Sequence, residues 1–324
     1  MVSNLKNKVI YKIIDESSEN QKIDNFLIKF LKNVPKSHIY KILRSGQVRV
    51  NKKRVRTDFK LSLNDAVRIP PVDFLRKKIE KLTKITSNQF KIIEENILFE
   101  DDSLLALNKP SGTAVHGGSG LSFGIIELVR NVRSEHKFFE LVHRIDRDTS
   151  GVLLIAKKRS ALVAIHKQMR EKKIHKKYQV AVKGIWKEKQ KIVDLNLLKI
   201  SSDNGQKKVR VIDSSFSNPL AKASRSVFFL KKNFSSYSLL DVKLITGRTH
   251  QIRTQLSHLG FPILGDDKYG DFALNKSLKK IGLNKMLLHA AELGFVHPVT
   301  FENILIKAPM PIYISNFIVN NEKK

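Results

Sequence analysis

The sequence contains no cysteine. That excludes disulfides, thiolate zinc sites and thiol nucleophiles together. Acidic residues are scarce: 30 Asp and Glu stand against 60 Lys and Arg, a formal net charge of +30 at pH 7. A compact chain of that charge repels itself unless a polyanion relieves it. Nucleic acid fits that role better than an anionic membrane surface. No run approaches the ~18 apolar residues that a membrane span needs. The stretch from Met1 to Glu16 has no apolar run of the secretory-signal kind. The expectation is a cytoplasmic monomer that does not engage the membrane.

Other signatures are missing too. The ten histidines are scattered and no His-Glu-x-x-His occurs, so no metal site is expected. His289 and His297 are read as hydrogen-bonded structural residues. The loop His116-Gly117-Gly118-Ser119-Gly120 follows Asn108-Lys109-Pro110-Ser111-Gly112. It has neither the Gly-Lys-Ser/Thr ending of a nucleotide loop nor a Gly-x-Gly-x-x-Gly fingerprint, which disfavours ATP and NAD.

What is present suits a folded, two-part protein. The 324 residues are 41% hydrophobic and 8% aromatic, enough for one sizeable core and a smaller domain. In the first 70 residues, Ile23, Phe26, Leu27, Phe30 and Leu31 recur on one helix face. Pro35 ends that stretch, and Ser37 is expected to cap a second helix carrying Ile39, Ile42 and Leu43, with Gly46 as its stop. Val48 and Val50 suggest a half-buried strand, Asn51-Lys52-Lys53 a turn, and Val67 with Ile69 a closing strand. The segment carries Lys36, Lys41, Arg44, Arg49, Lys52, Lys53 and Arg54, and only one acid, Asp58, between Lys36 and Lys60. Solvated surface charge is the plain account; the bias in sign favours a phosphate-binding face.

A charged tether is expected at 76–96. Beyond it, the texture is that of an α+β domain with much sheet. Strands are expected at Leu104 to Asn108, Val152 to Ala156, Tyr178 to Val182 and Tyr237 to Ile245, and helices at Ala161 to Lys172 and Thr249 to Leu259.

Three clusters can carry chemistry. His143-Arg144-Ile145-Asp146-Arg147-Asp148-Thr149-Ser150-Gly151 sets polar groups at the mouth of an apolar strand. Asp146 can act there as nucleophile or base with an arginine as counter-ion. A local Arg–Asp salt-bridge cluster is the blander account of such a loop, and spacing does not choose Asp146 over Asp148. Thr246-Gly247-Arg248-Thr249-His250-Gln251-Ile252-Arg253 reads as a tight turn and a helix capped by Thr249, with Arg248 and Arg253 able to meet phosphate or carboxylate. Lys176-Lys177-Tyr178 offers a tyrosine that is either core or a stacking surface for an unpaired base.

These runs occur in order and continue through Gly265-Asp266-Asp267-Lys268-Tyr269-Gly270 and Leu288-His289-Ala290. In this the chain resembles the RluA family of pseudouridine synthases over nearly its whole length. Its beginning resembles the S4 RNA-binding domain. The resemblance implies an S4 domain of the αL type at 1–75 and a catalytic domain at 97–324, with a mixed, largely antiparallel sheet and flanking helices. It implies isomerisation of uridine to pseudouridine with no metal or organic cofactor, with Asp146 essential, Arg253 paired to it, Tyr178 against the base and Leu288 closing the pocket. The stretch Leu107-Asn108-Lys109-Pro110-Ser111-Gly112 is among those that match members acting on large-subunit ribosomal RNA. The implied partner is therefore 23S ribosomal RNA, free or in an assembling subunit. A non-catalytic assembly factor on the same scaffold, or the same chemistry on transfer RNA, are the competing readings.

The chain departs from the family pattern at Ile145 (usually leucine), Lys22 (often arginine), Asn64 (usually glycine) and Thr254-Gln255 (commonly Val-His). Loss of the arginine fork at Lys22 bears on affinity. Asn64 must tolerate a left-handed turn.

Overall fold

The computed structural model describes residues 9–31, 34–72, 87–117, 124–136, 138–201, 207–212 and 218–322. The chain divides into two compact units, Met1–Thr86 and Ser87–Lys324.

The first unit runs β1 (Ile10–Ile13), α1 (Ile23–Phe30), α2 (Lys36–Arg44), β2 (Arg49–Val50), β3 (Lys53–Arg54) and β4 (Ala66–Ile69). The strands form one antiparallel sheet in the order β1-β4-β2-β3. Ile23, Phe26 and Leu27 of α1 and Ile39, Ile42 and Leu43 of α2 are buried together with Val48, Val50, Val67 and Ile69. Each such side chain stabilises the unit by roughly 1.5–3 kcal/mol.

Local details differ from expectation at two points. Pro35, not Ser37, occupies the cap position of α2, so Ser37 lies inside the first turn. Proline suits that place, because the helix end has no acceptor for its missing N–H. The turn between β2 and β3 is only Asn51-Lys52, with φ of 49° and 68°, and Lys53 already pairs with Val50. Two left-handed residues match the twist of a tight hairpin. Gly46 follows α2 with φ 71°, and Asn64 sits at φ 66°, the left-handed turn its position demands.

The second unit runs α3 (Ser87–Glu94), β5 (Ile97–Glu100), β6 (Leu104–Lys109), α4 (Ile125–Val132), β7 (Glu140–Leu141), β8 (Ser150–Ala156), α5 (Arg159–Arg170), β9 (His175–Lys183) and β10 (Gln190–Ser201). It continues through β11 (Lys207–Ile212), β12 (Lys222–Asn233), β13 (Tyr237–Leu244), α6 (Gln251–His258), α7 (Phe272–Lys280), β14 (Leu288–Val296), β15 (Asn303–Lys307) and α8 (Ile312–Glu322). Within the stretch expected as a tether, α3 is a helix whose Ile93 is fully buried against Ile125 and Val129 of α4. Residues 76–86 of that stretch lie outside the described residues.

Eleven strands make one sheet, β11-β10-β12-β13-β9-β14-β8-β6-β5, with β15 on β14 and β7 on β8. Only the β14–β8 pairing is parallel among the described strands. Apolar clusters lie under both halves of the sheet. The fold is α+β.

The β8–β14 contact positions the site. Gly151 has φ 108°, and a Cβ there would stand 2.1 Å from the Ala290 carbonyl oxygen. Only glycine lets β8 approach β14 so closely. The loop that precedes β8 is thereby set beside Leu288, the first residue of β14.

Candidate active site

The loop from His143 to Thr149 is held from below. Ile145 is buried, and the side chain of Lys109 is fully buried under the loop. The Lys109 ammonium donates to the carbonyls of Pro110 (2.9 Å), Thr113 (2.8 Å) and Arg147 (2.8 Å). Three acceptors match its three N–H bonds. Burial pulls its pKa down to about 7, opposed by the charges of Asp148 and Asp146. The Ser111 hydroxyl donates to the Asp148 carbonyl at 2.7 Å, and the Gly112 N–H to the Arg147 carbonyl at 2.9 Å.

So fixed, Asp146 meets α6. Arg253 donates from Nη1 to Asp146 Oδ2 at 2.9 Å. The rest of the guanidinium is held by Asp266, with Nε to Oδ2 and Nη2 to Oδ1 both at 2.8 Å. Burial alone would depress the arginine; its hydrogen bonds to Asp266 and the charges of Asp266 and Asp146 raise it above its ordinary value instead. Burial likewise works against the Asp266 carboxylate, and Arg253 with the backbone N–H groups of Lys268 and Tyr269 holds it below the usual range. The ring of Tyr269 lies 5.2 Å from the guanidinium carbon.

On the other side of Asp146, His250 Nε2 stands 3.9 Å from Oδ1. Its Nδ1 contacts the Tyr269 hydroxyl at 2.8 Å. That hydroxyl accepts the Val209 N–H at 2.9 Å, so its own proton is free to go to Nδ1. This favours the tautomer with the proton on Nε2, facing the carboxylate. Burial lowers the His250 pKa, with Asp146 opposing.

Asp146, Arg253, Tyr178 and Leu288 line one cleft of about 840 Å³, together with Ile252, Leu244 and His250. Burial, reinforced by Asp146, raises the pKa of the Tyr178 hydroxyl, which stays protonated. The cleft thus offers a carboxylate, an apolar wall and an aromatic face. Asp148 is not part of its lining; it pairs with neighbouring Arg147 at 3.1 Å.

The cleft sets a carboxylate beside an aromatic ring, in a chain of net charge +30. The RNA pseudouridylate synthase family matches residues 103–258, and the S4 domain family matches residues 21–67. A ribosomal large subunit pseudouridine synthase C from Buchnera aphidicola subsp. Schizaphis graminum is 47% identical over 311 residues, covering 96% of each chain. The protein of the same name from Vibrio vulnificus is 48% identical over 309 residues, covering 95% of each.

The chain belongs to the RNA pseudouridylate synthase family.

Among solved structures, human RNA pseudouridylate synthase domain containing 4 shares the fold, with TM-score 0.60 and 23% identity over 72% of this chain and 95% of that one. The synthase therefore forms pseudouridine, and its first unit contains an S4 domain.

Of the residues expected from sequence, Asp146, Arg253, Tyr178, Leu288 and Arg248 meet in the synthase cleft. Lys36, Lys41, Arg44, Arg49, Lys52, Lys53 and Arg54 are exposed on the first unit. Arg248 lies on the second unit and donates from Nε to the Ala223 carbonyl at 3.0 Å. Thr249 does not cap α6: His250 holds the cap position at φ 52°, and no side chain caps it. Gln251 organises the turn instead, accepting from the Arg248 N–H at 2.9 Å and contacting Thr246 Oγ1 at 2.8 Å. Of the glycine-rich loop, Gly117 is held by Glu127 at 3.0 Å, and 118–123 lie outside the described residues. His289 bonds Ser150 at 2.9 Å; His297 accepts the Thr300 N–H at Nδ1 at 3.0 Å, and its Nε2 lies 2.8 Å from an Asp101 carboxylate oxygen. Sequence reasoning gave no role to Asp266, Lys109 or His250. Their motifs were visible, but nothing in their spacing says which partner each one meets.

Proposed function

We propose that this chain isomerises uridines of 23S ribosomal RNA, with Asp146 as the nucleophile or base. The observation that carries the reading is the Asp146–Arg253 contact at 2.9 Å inside a cleft lined by Tyr178 and Leu288. The names of the relatives supply the RNA.

A uracil in folded RNA must first leave its stack, at roughly a few kcal/mol. Basic faces offset that cost by holding phosphates. Arg253 occupies Asp146 Oδ2, which leaves Oδ1 to address the ribose. Oδ1 either attacks C1′ or takes a ribose proton as the N1–C1′ bond breaks. The freed uracil turns against Tyr178 and rejoins through C5. N1 gains a proton and C5 loses one, so no atom is added or lost overall. An apolar wall that includes Leu288 keeps water from intercepting the open sugar. The protein works as a monomer in the cytoplasm, on free 23S RNA or an assembling large subunit.

Mapping pseudouridine in ribosomal RNA from cells carrying wild-type or Asp146→Ala protein tests the class and the target together. The expected result is loss of specific pseudouridines with Asp146→Ala; normal modification by that variant would sink the mechanism.

A further inference from the structure

Among the described residues, Lys176 is a cation without a counter-charge. It sits near the start of β9, two residues before Tyr178. Side chains two apart on a strand share a face and stand about 7 Å apart, and both residues line the cleft. Lys177, between them, points the other way and is held by Asp241 at 3.1 Å and Glu292 at 3.5 Å. Lys176 is half-buried, yet among the described residues no carboxylate or carbonyl holds its ammonium. The contrast with Lys109, whose ammonium has three carbonyls, is sharp.

The acids lining the same cleft are engaged elsewhere. Glu127 accepts from the N–H groups of Gly117 and Gly124, Glu140 pairs with Arg130 at 3.3 Å, and Asp146 pairs with Arg253. The neighbouring His143 is a neutral imidazole that offers no charge. Gly247 lies beside the ammonium, and a Cβ on that residue would come into van der Waals contact with Nζ at 3.7 Å. Burial lowers the Lys176 pKa. Such a group costs stability in the free protein, and an arriving anion relieves that cost.

We propose that Lys176 is the phosphate anchor of the cleft: its ammonium takes a backbone phosphate of the RNA strand beside the nucleotide that Tyr178 receives. The spacing on β9 suits a base and a phosphate of one nucleotide. The anchor rests on the reading of this cleft as the uridine site, and fixes where the strand enters it.

The test compares wild-type, Lys176→Met and Lys176→Arg proteins binding a 23S ribosomal RNA transcript over a range of salt. Lys176→Met is expected to bind roughly tenfold more weakly, the scale of one charge-assisted hydrogen bond. Its slope of log affinity against log salt should fall by about 0.7–0.9, the share of one phosphate. Lys176→Arg should restore both. Without RNA, the thermal midpoint of Lys176→Met should be unchanged or higher, because an unpaired buried charge has been removed; a structural lysine would give a lower one. Unchanged affinity and slope, or a lowered midpoint with an unchanged slope, overturns the anchor. A wild-type protein that makes no pseudouridine overturns the function instead, so the two readings fail separately.

Discussion

Asp266 grips Arg253 at two points, Nε and Nη2, each at 2.8 Å, and so turns its remaining nitrogen, Nη1, toward Asp146. The guanidinium is aimed by one carboxylate and used by another. Both members of the supporting pair are almost wholly buried. Removing one partner of such a pair leaves an uncompensated charge, which costs about 3–5 kcal/mol. Asp266→Ala is therefore expected to lower the urea midpoint strongly. Asp266→Asn, which keeps one acceptor, should cost less but still lower kcat with little change in RNA affinity. Wild-type kcat in folded Asp266→Asn would refute the aiming role.

Arg253→Lys tests the same geometry from the other side. A lysine carries the charge but not the planar fork, and cannot serve Asp266 twice and Asp146 once. A loss of kcat on the order of 10²-fold or more is expected. Single-turnover assays at saturating RNA measure it.

Lys109 ties the Asp146 loop to the Pro110–Thr113 turn through three carbonyls. Lys109→Met has a similar length and no donor. With acceptors left unpaired at about 1–3 kcal/mol each, it should lose roughly 2 kcal/mol or more of stability and loosen the loop. Denaturant unfolding and hydrogen exchange at the Gly112 and Thr149 amides, which donate to the Arg147 and Asp146 carbonyls, check this. Unaltered protection there would argue against the tie.

Stability should fall with acid before the carboxylates titrate. Burial, then the charge of Lys176, holds His143 neutral down to about 3, against an ordinary 6.5. Its Nε2 accepts the Leu154 N–H at 3.1 Å. Between those values the unfolded chain binds a proton that the fold refuses. The stabilising term is complete above 6.5 and declines as the pH falls toward 3. His289 and His250 are lowered as well and add to the slope. Urea midpoints from about pH 7 to about pH 4 should drop, and His143→Gln should show a shallower drop; an identical slope would remove His143 from the account.

The exposed cations of α2 carry the remaining prediction. Replacing Lys36, Lys41 and Arg44 by glutamine should weaken RNA binding and reduce the salt slope by about 0.7–0.9 for each phosphate left without a cation. Folding should be unaffected, since all three side chains are exposed. Filter binding at several salt concentrations measures it.

Much of the fold follows from local pattern. β6, β8, β9 and β13 lie where apolar runs place them, and α5 and α6 within two residues or so of the expected bounds. β12 was not legible: Ser224 and Ser226 fill buried positions before Phe228, so the inward alternation is not apolar. The helix α3 was also missed, since a charged stretch precedes it and Ile93 finds its partners, Ile125 and Val129, more than thirty residues on.

The sequence by itself determined the basic character, the family and the set of candidate residues, because charge, periodicity and ordered motifs are properties of the chain. Spacing alone could not separate Asp146 from Asp148; within the sequence only the family resemblance did. Two carboxylates two residues apart have the same chemistry, and what differs is the partner each one meets. The tertiary structure decided that by bringing α6 to the loop before β8: Asp146 faces Arg253 in the cleft, and Asp148 faces Arg147 outside its lining. A pairing across 107 residues has no trace in local spacing, since it depends on where the chain returns.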